Sequence, residues 1–156
     1  NAAKGFYGNV EFKLGEIENM PVNDSSVDVI ISNCVINLSV KKENVFREAF
    51  RVLKPGGRFM ISDLVLLKEL PIKVRRSAEA YAACIAGAVR KEKYIGCALK
   101  AGFCAIKVVD ESTFPMQNGL SASDEKVIAG SVVSIKLFGE KPLVQKAKVP
   151  GALKKS

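Results

Sequence analysis

The feature that most restricts this chain is a change of hydrophobic period, made twice between residues 27 and 66. The run "VDVIISNCVI" (27–36) is nearly continuous and β-branched, as expected of a strand covered on both faces. From Lys42 to Leu53 the period becomes helical. Val45, Ala49 and Val52 with Phe46, Phe50 and Leu53 form one apolar face, and Arg47, Glu48 and Arg51 lie off it. "KPGG" (54–57) then ends the helix, because Pro55 restricts its predecessor and the two glycines permit a tight reversal. "RFMISDLVL" (58–66) returns to an apolar strand. Strand, helix and strand in this order predict a parallel sheet with right-handed crossovers.

The flanks extend this pattern. "NVEFKLGEI" (9–17) alternates Val10, Phe12 and Leu14 and predicts a strand, which "PVNDSS" (21–26) breaks. "LPIKVRRSAEAYAACIAGAVRK" (70–91) predicts a helix with Pro71 in its first turn and an apolar stripe of Val74, Tyr81 and Ile85. "KEKYIGCALKAGF" (91–103) predicts another, stopped by Gly102. "CAIKVVDES" (104–112) and "SVVSIKLFGEKP" (131–142) predict two strands. Between them "SASDEKVIAG" (121–130) predicts a short helix capped by Ser123. No internal repeat and no second domain are visible.

Composition narrows the function classes. The 156 residues suffice for one domain that hides about 70% of its unfolded surface. No apolar stretch reaches the roughly 18 residues of a membrane span, so no membrane association is expected. Net charge is +8, and the six lysines from Lys136 onward against Glu140 alone supply much of it. Residues 143–156 are read as a basic flexible tail that carries no aromatic platform for bases, so no specific nucleic-acid partner is expected. The four cysteines form no C-x-x-C pair and the chain has no histidine, which argues against a conventional zinc site. Reduced thiols and a cytoplasmic location are the expectation. The sequence opens at Asn1 without Met, in what reads as a last helical turn, and a processed chain or a piece of a longer one is expected.

"FREAFRVLKPGGRFMISD" (46–63) resembles the segment joining the fourth and fifth strands of class I S-adenosylmethionine-dependent methyltransferases. "LGEIENMPV" (14–22) resembles their third-strand loop and "KAGF" (100–103) the approach to their sixth strand. With "SNCVINL" (32–38) and "YAACIAGAV" (81–89), the chain is similar to arsenite methyltransferases over roughly residues 1–142. The resemblance implies an α/β, Rossmann-like class I methyltransferase sheet, mostly parallel with an antiparallel last strand. It also implies that the first two strands lie upstream of Asn1. With them would go the Gly-rich turn and the ribose-binding acid, so that residues 1–142 form a partial domain holding half a cofactor pocket.

The same resemblance assigns roles. S-adenosylmethionine would be the cofactor. Glu16 would accept from the adenine amino group, with Glu18 as the alternative acid, and the Ile17 backbone would meet the ring edge. Asn33 and Asn37 would stand beside the cofactor at the end of the fourth strand. Cys34 and Cys84 match two arsenic-binding cysteines, and the third thiolate would come from upstream. Thiolate suits trivalent arsenic because both are soft, and the arsenic lone pair carries no proton, so no general base is required. The substrate would be arsenite or its thiol conjugate, with a thiol reductant as second partner. Read without the resemblance, Cys34 is a buried thiol acting as a small hydrophobe, the 16–18 loop is solvated, and Asn37 and Asp63 either line the acceptor site or end strands by bonding nearby backbone. Cys97 and Cys104 are read as packing residues. Two other functions stay open: methyl transfer to another small acceptor, such as a quinone precursor or sterol, and a truncated chain without catalysis that associates through an uncovered sheet edge.

Overall fold

The computed structural model describes residues 8–76, 85–113 and 122–144. In chain order it contains strand β1 (Val27–Asn33), a single 3-10 turn (Ile36–Leu38), helix α1 (Lys42–Val52), strand β2 (Leu53–Leu66) and helix α2 (Ile72–Arg75). Helix α3 (Lys91–Ala101), strand β3 (Cys104–Thr113), helix α4 (Ala122–Ala129) and strand β4 (Val132–Glu140) complete it. The four strands form one sheet in the order β1-β2-β4-β3. β1 runs parallel to β2, with Ile30 opposite Phe59 and Asn33 opposite Ser62. β4 is antiparallel to both β2 and β3. The predicted mixed sheet with a reversed last strand is therefore present.

β2 is the strand buried on both faces. Phe59, Ile61 and Val65 point into one cluster with Val45, Phe46 and Ala49 of α1 and with Tyr94, Cys97 and Ala98 of α3. Leu64 and Leu66 point into a second, with Leu70, Val74, Ile85, Ala88 and Ile128. Alternation along the strand produces this split. Helix α1 contributes the stripe read from its sequence, and Phe46 meets both Phe59 and Tyr94 edge to face. Helix α3 stops where expected, at Gly102 with φ 106°, a left-handed position that a side chain would strain. At the end of β4, buried Lys141 donates to the carbonyls of Phe50 and Leu53, both at 2.7 Å.

Several expectations change. Residues 9–17 form no strand: Phe12 is 82% exposed, and the only pairing is an isolated bridge from Glu16 to Asn19. An alternating pattern becomes a strand only beside a ladder that accepts its hydrogen bonds, and among the described residues β1 pairs with β2 alone. β1 is covered on one face only, and Ile31 on the other is 81% exposed. "KPGG" lies inside β2, which begins directly at Leu53. Of the long helix predicted over 70–91, the described part before Lys91 is helical only at Ile72–Arg75, and residues 85–90 are non-helical, with a turn at 86–87 and an isolated bridge from Arg90 to Leu66. Helix α4 begins at Ala122, so Ser123 lies within it rather than capping it. Cys104 is exposed at the start of β3, its thiol near the Glu140 carbonyl, while Cys97 is core as expected.

Candidate active site

β1 ends at Asn33, and the chain turns sharply at the next residue. Cys34 has φ 56°, a left-handed conformation that costs a non-glycine residue about 1 kcal/mol or more. The 3-10 turn of Ile36–Leu38 follows at once and leads into α1. The half-buried thiol therefore stands at the carboxyl end of a parallel strand, where open α/β sheets bind ligands.

Successive residues of β2 hold this turn. The Cys34 N–H donates to the Ser62 carbonyl at 2.8 Å, and the Asn37 side-chain amide donates to the Leu64 carbonyl at 2.8 Å. Asn37 is only 2% exposed, so its side chain is turned inward. Lys42, 7% exposed, donates to the Ser39 carbonyl at 2.8 Å and to that of Asn37 at 3.3 Å. Between Ser62 and Leu64 lies Asp63, fully buried, whose Oδ2 accepts from the Tyr94 hydroxyl at 2.5 Å. Asp63 Oδ1, Asn37 Oδ1 and Ser32 Oγ are buried without a hydrogen-bond partner.

The electrostatics follow from burial. Desolvation pushes the Asp63 carboxyl up to about 6, against the opposing pull of the Tyr94 hydroxyl, the Lys42 ammonium and the Asn37 backbone. Desolvation also raises the Tyr94 hydroxyl well above its ordinary range and lowers the Lys42 ammonium. These groups share an interior in which each charged form is costly.

The loop after residue 15 meets the same turn. Ser39 Oγ donates to Glu18 Oε1 at 2.5 Å and accepts from the Lys41 N–H at 3.0 Å. Glu18 is thereby engaged by the turn. The Glu16 carboxylate is exposed and makes no hydrogen bond among the described residues, while Ile17 packs against the main core. Asn33 is exposed at the strand end. A cleft of about 350 Å³ opens beside the turn, lined by Asn37, Ser39, Arg75 and Gly87 among others. Cys84 lies outside the described residues. Among those described, no three His, Cys, Asp or Glu side chains are grouped to hold a metal ion.

Sequence reasoning brought Cys34, Asn33, Asn37 and Glu18 to one neighbourhood. It missed Tyr94 and Lys42 as partners of that turn. Tyr94 sits on an apolar helical stripe and reads as core, and Lys42 opens a helix and reads as surface. Only the hydroxyl on an otherwise apolar face carried a signal.

A parallel pair extended by antiparallel pairing, with helices packed on the sheet and a thiol-bearing turn at the strand mouth, makes this an open α/β domain. A methyltransferase domain family matches residues 1–103, and the chain belongs to that family. The arsenite methyltransferase of Halobacterium salinarum is 45% identical over 115 residues, 72% of this chain and 29% of that protein. The arsenite methyltransferase of Aquipseudomonas alcaligenes is 32% identical over 160 residues, 94% of this chain and 46% of that protein. The crystal structure of an arsenic(III) S-adenosylmethionine methyltransferase from Chlamydomonas reinhardtii superposes with a TM-score of 0.66 at 34% identity, covering 88% of this chain and 44% of that one. The chain thus spans less than half the length of these relatives. Among the described residues no helix is long and apolar enough to cross a membrane.

Proposed function

We propose that the protein containing this chain transfers the methyl group of S-adenosylmethionine to trivalent arsenic held by cysteine thiolates, Cys34 and Cys84 among them. The observation that carries the reading is the placement of Cys34. It occupies a left-handed turn at the carboxyl end of β1, pinned to β2 by Ser62 and Leu64. Similarity to arsenite methyltransferases over 72% and 94% of the chain supports the choice of acceptor.

When bound, S-adenosylmethionine supplies an electrophilic methyl on a sulfonium. In this reading the exposed Glu16 and Asn33 would face one side of such a cofactor, whereas Glu18 and the Asn37 amide are already bonded within the turn. The contribution of Cys34 is to hold the arsenic so that its lone pair faces the methyl, a matter of proximity and alignment. The As–C bond forms as the S–CH3 bond breaks, and sulfur keeps the pair. Arsenic leaves this step formally pentavalent, and a thiol reductant returns it to the trivalent state. A third thiolate from outside the chain completes the ligand set. The 156 residues alone are expected to bind the cofactor weakly and to turn over little.

Arsenite titration with peptide-resolved thiol alkylation tests this. Cys34 and Cys84 should be protected together, and Cys34→Ser or Cys84→Ser should abolish arsenic methylation in the full-length protein. Full activity of either variant would remove arsenic from the reading and leave methyl transfer to another small acceptor. Tight calorimetric binding of S-adenosylmethionine by the 156 residues would contradict the expected weakness.

A further inference from the structure

A fully buried carboxyl is an expensive component. Leaving a buried polar atom without a partner is costly, and apolar replacements of buried charges are often neutral or stabilising. This core nevertheless contains Asp63, with Oδ1 unbonded, beside Asn37, with its own Oδ1 unbonded. Fold stability alone gives no reason to keep them. A buried polar network does fix one arrangement among competing ones, and the arrangement here is the turn that follows β1.

That turn has two features that demand fixing. Cys34 is held in a left-handed conformation, which persists only where neighbours over-determine it. The 3-10 turn behind it is one turn long, too short to be stable by itself. β2 answers with three consecutive residues. Ser62 takes the Cys34 N–H, Leu64 takes the Asn37 amide, and Asp63 stands between them with the Asn37 backbone beside its carboxyl and its Oδ2 held by Tyr94. Tyr94 belongs to α3, which packs directly on α1, the helix the turn leads into, so the clamp links three elements. Gly87 closes the other side: a Cβ there would run into the Asn37 carbonyl oxygen.

We propose that Asp63, oriented by Tyr94, is a positioning residue that fixes the Asn33–Ser39 turn and so sets the direction of the Cys34 thiol at the strand mouth. Its effect on arsenic rests on the function proposed above; its effect on the thiol does not. Asp63 touches no substrate and acts through Asn37 and the turn.

The test is the alkylation rate of Cys34 in the native chain, resolved by peptide mass spectrometry, with buried Cys97 reporting global opening. Asp63→Ala and Tyr94→Phe should each change the Cys34 rate by about threefold or more while Cys97 stays protected, as local rather than global opening requires. Asp63→Asn, which keeps an acceptor for the Tyr94 hydroxyl, should stay within about twofold of the parent. Unchanged Cys34 rates in Tyr94→Phe, or Cys34 and Cys97 rising in step, would overturn the proposal. If Asp63→Ala does not fold, Tyr94→Phe decides, with hydrogen exchange at the Cys34 and Ser39 amides as second readout. Arsenite protection of Cys34 in the parent is scored separately. Its absence beside a responding turn removes the arsenical reading and leaves the positioning role supported.

Discussion

The Tyr94 hydroxyl donates to Asp63 Oδ2 at 2.5 Å inside a core where neither residue reaches solvent. This one bond joins α3 to the central strand directly beneath the turn that carries Cys34, so changes at either partner are expected to reach the thiol as well as the fold.

Asp63 makes stability depend on pH in a direction opposite to most carboxylates. Its carboxyl is raised from 3.8 to about 6 by burial, with Tyr94 and Lys42 facing it. The folded state therefore holds the proton more tightly than the unfolded one. The contribution is favourable below the unfolded value and is lost as pH rises through about 6. Asp63→Asn removes this dependence. Between pH 5 and pH 7.5 the parent should lose about 1–1.5 kcal/mol relative to Asp63→Asn in urea unfolding. Parallel pH profiles for the two proteins would show that Asp63 does not titrate in this range.

Gly87→Ala should disturb the turn from the opposite side. The added Cβ meets the backbone oxygen of Asn37, which cannot swing away as a side chain would. A cost of about 1–3 kcal/mol is expected, with faster hydrogen exchange at Leu38 and Ser39. An unchanged midpoint in chemical denaturation would mean that residues 85–90 pack less closely on the turn.

Arg51 docks the loop that precedes β1. Its guanidinium donates to the carbonyls of Met20 and Val22 and pairs with Asp24 and Glu48. A planar fork suits this spread of acceptors and an ammonium does not. Arg51→Lys and Arg51→Ala should both speed limited proteolysis within residues 20–26 by about threefold or more, with the core intact. Equal cleavage rates would show that the loop is held by other contacts.

The apolar core should report its own hierarchy. Phe46, fully buried and edge-on to Phe59 and Tyr94, should cost about 3–5 kcal/mol when replaced by Ala. Ile31→Thr, on the open face of β1, should stay within about 0.5 kcal/mol. Calorimetric or denaturant unfolding separates these outcomes readily.

Periodicity made these helices and strands legible because α1, β2, α3 and β4 each bury a face that the pattern declares, while β3 rests the half-buried Ile106 and Val108 on the same core. It failed at residues 9–17 because alternation states which side of a strand is apolar, not whether a neighbouring strand is there to bond it. It overstated β1, whose apolar residues continue onto a face left open. Cys34 was found through a motif, since a cysteine at a strand end has no distinctive period. Asp63 was noticed but left between two roles. Tyr94 and Lys42 stayed hidden because their importance lies in what they touch across 31 and 3–5 positions of sequence respectively.

Lys141 settles where the polypeptide departs. Anchored on Phe50 and Leu53, it follows Glu140, which stands opposite Arg58, whereas Cys34 leaves the sheet beside Ser62. From Ser62 to Arg58 is about 13 Å along β2. A tether or label attached within residues 141–144 would therefore start from the opposite end of β2, with the thiol-bearing rim facing away from it.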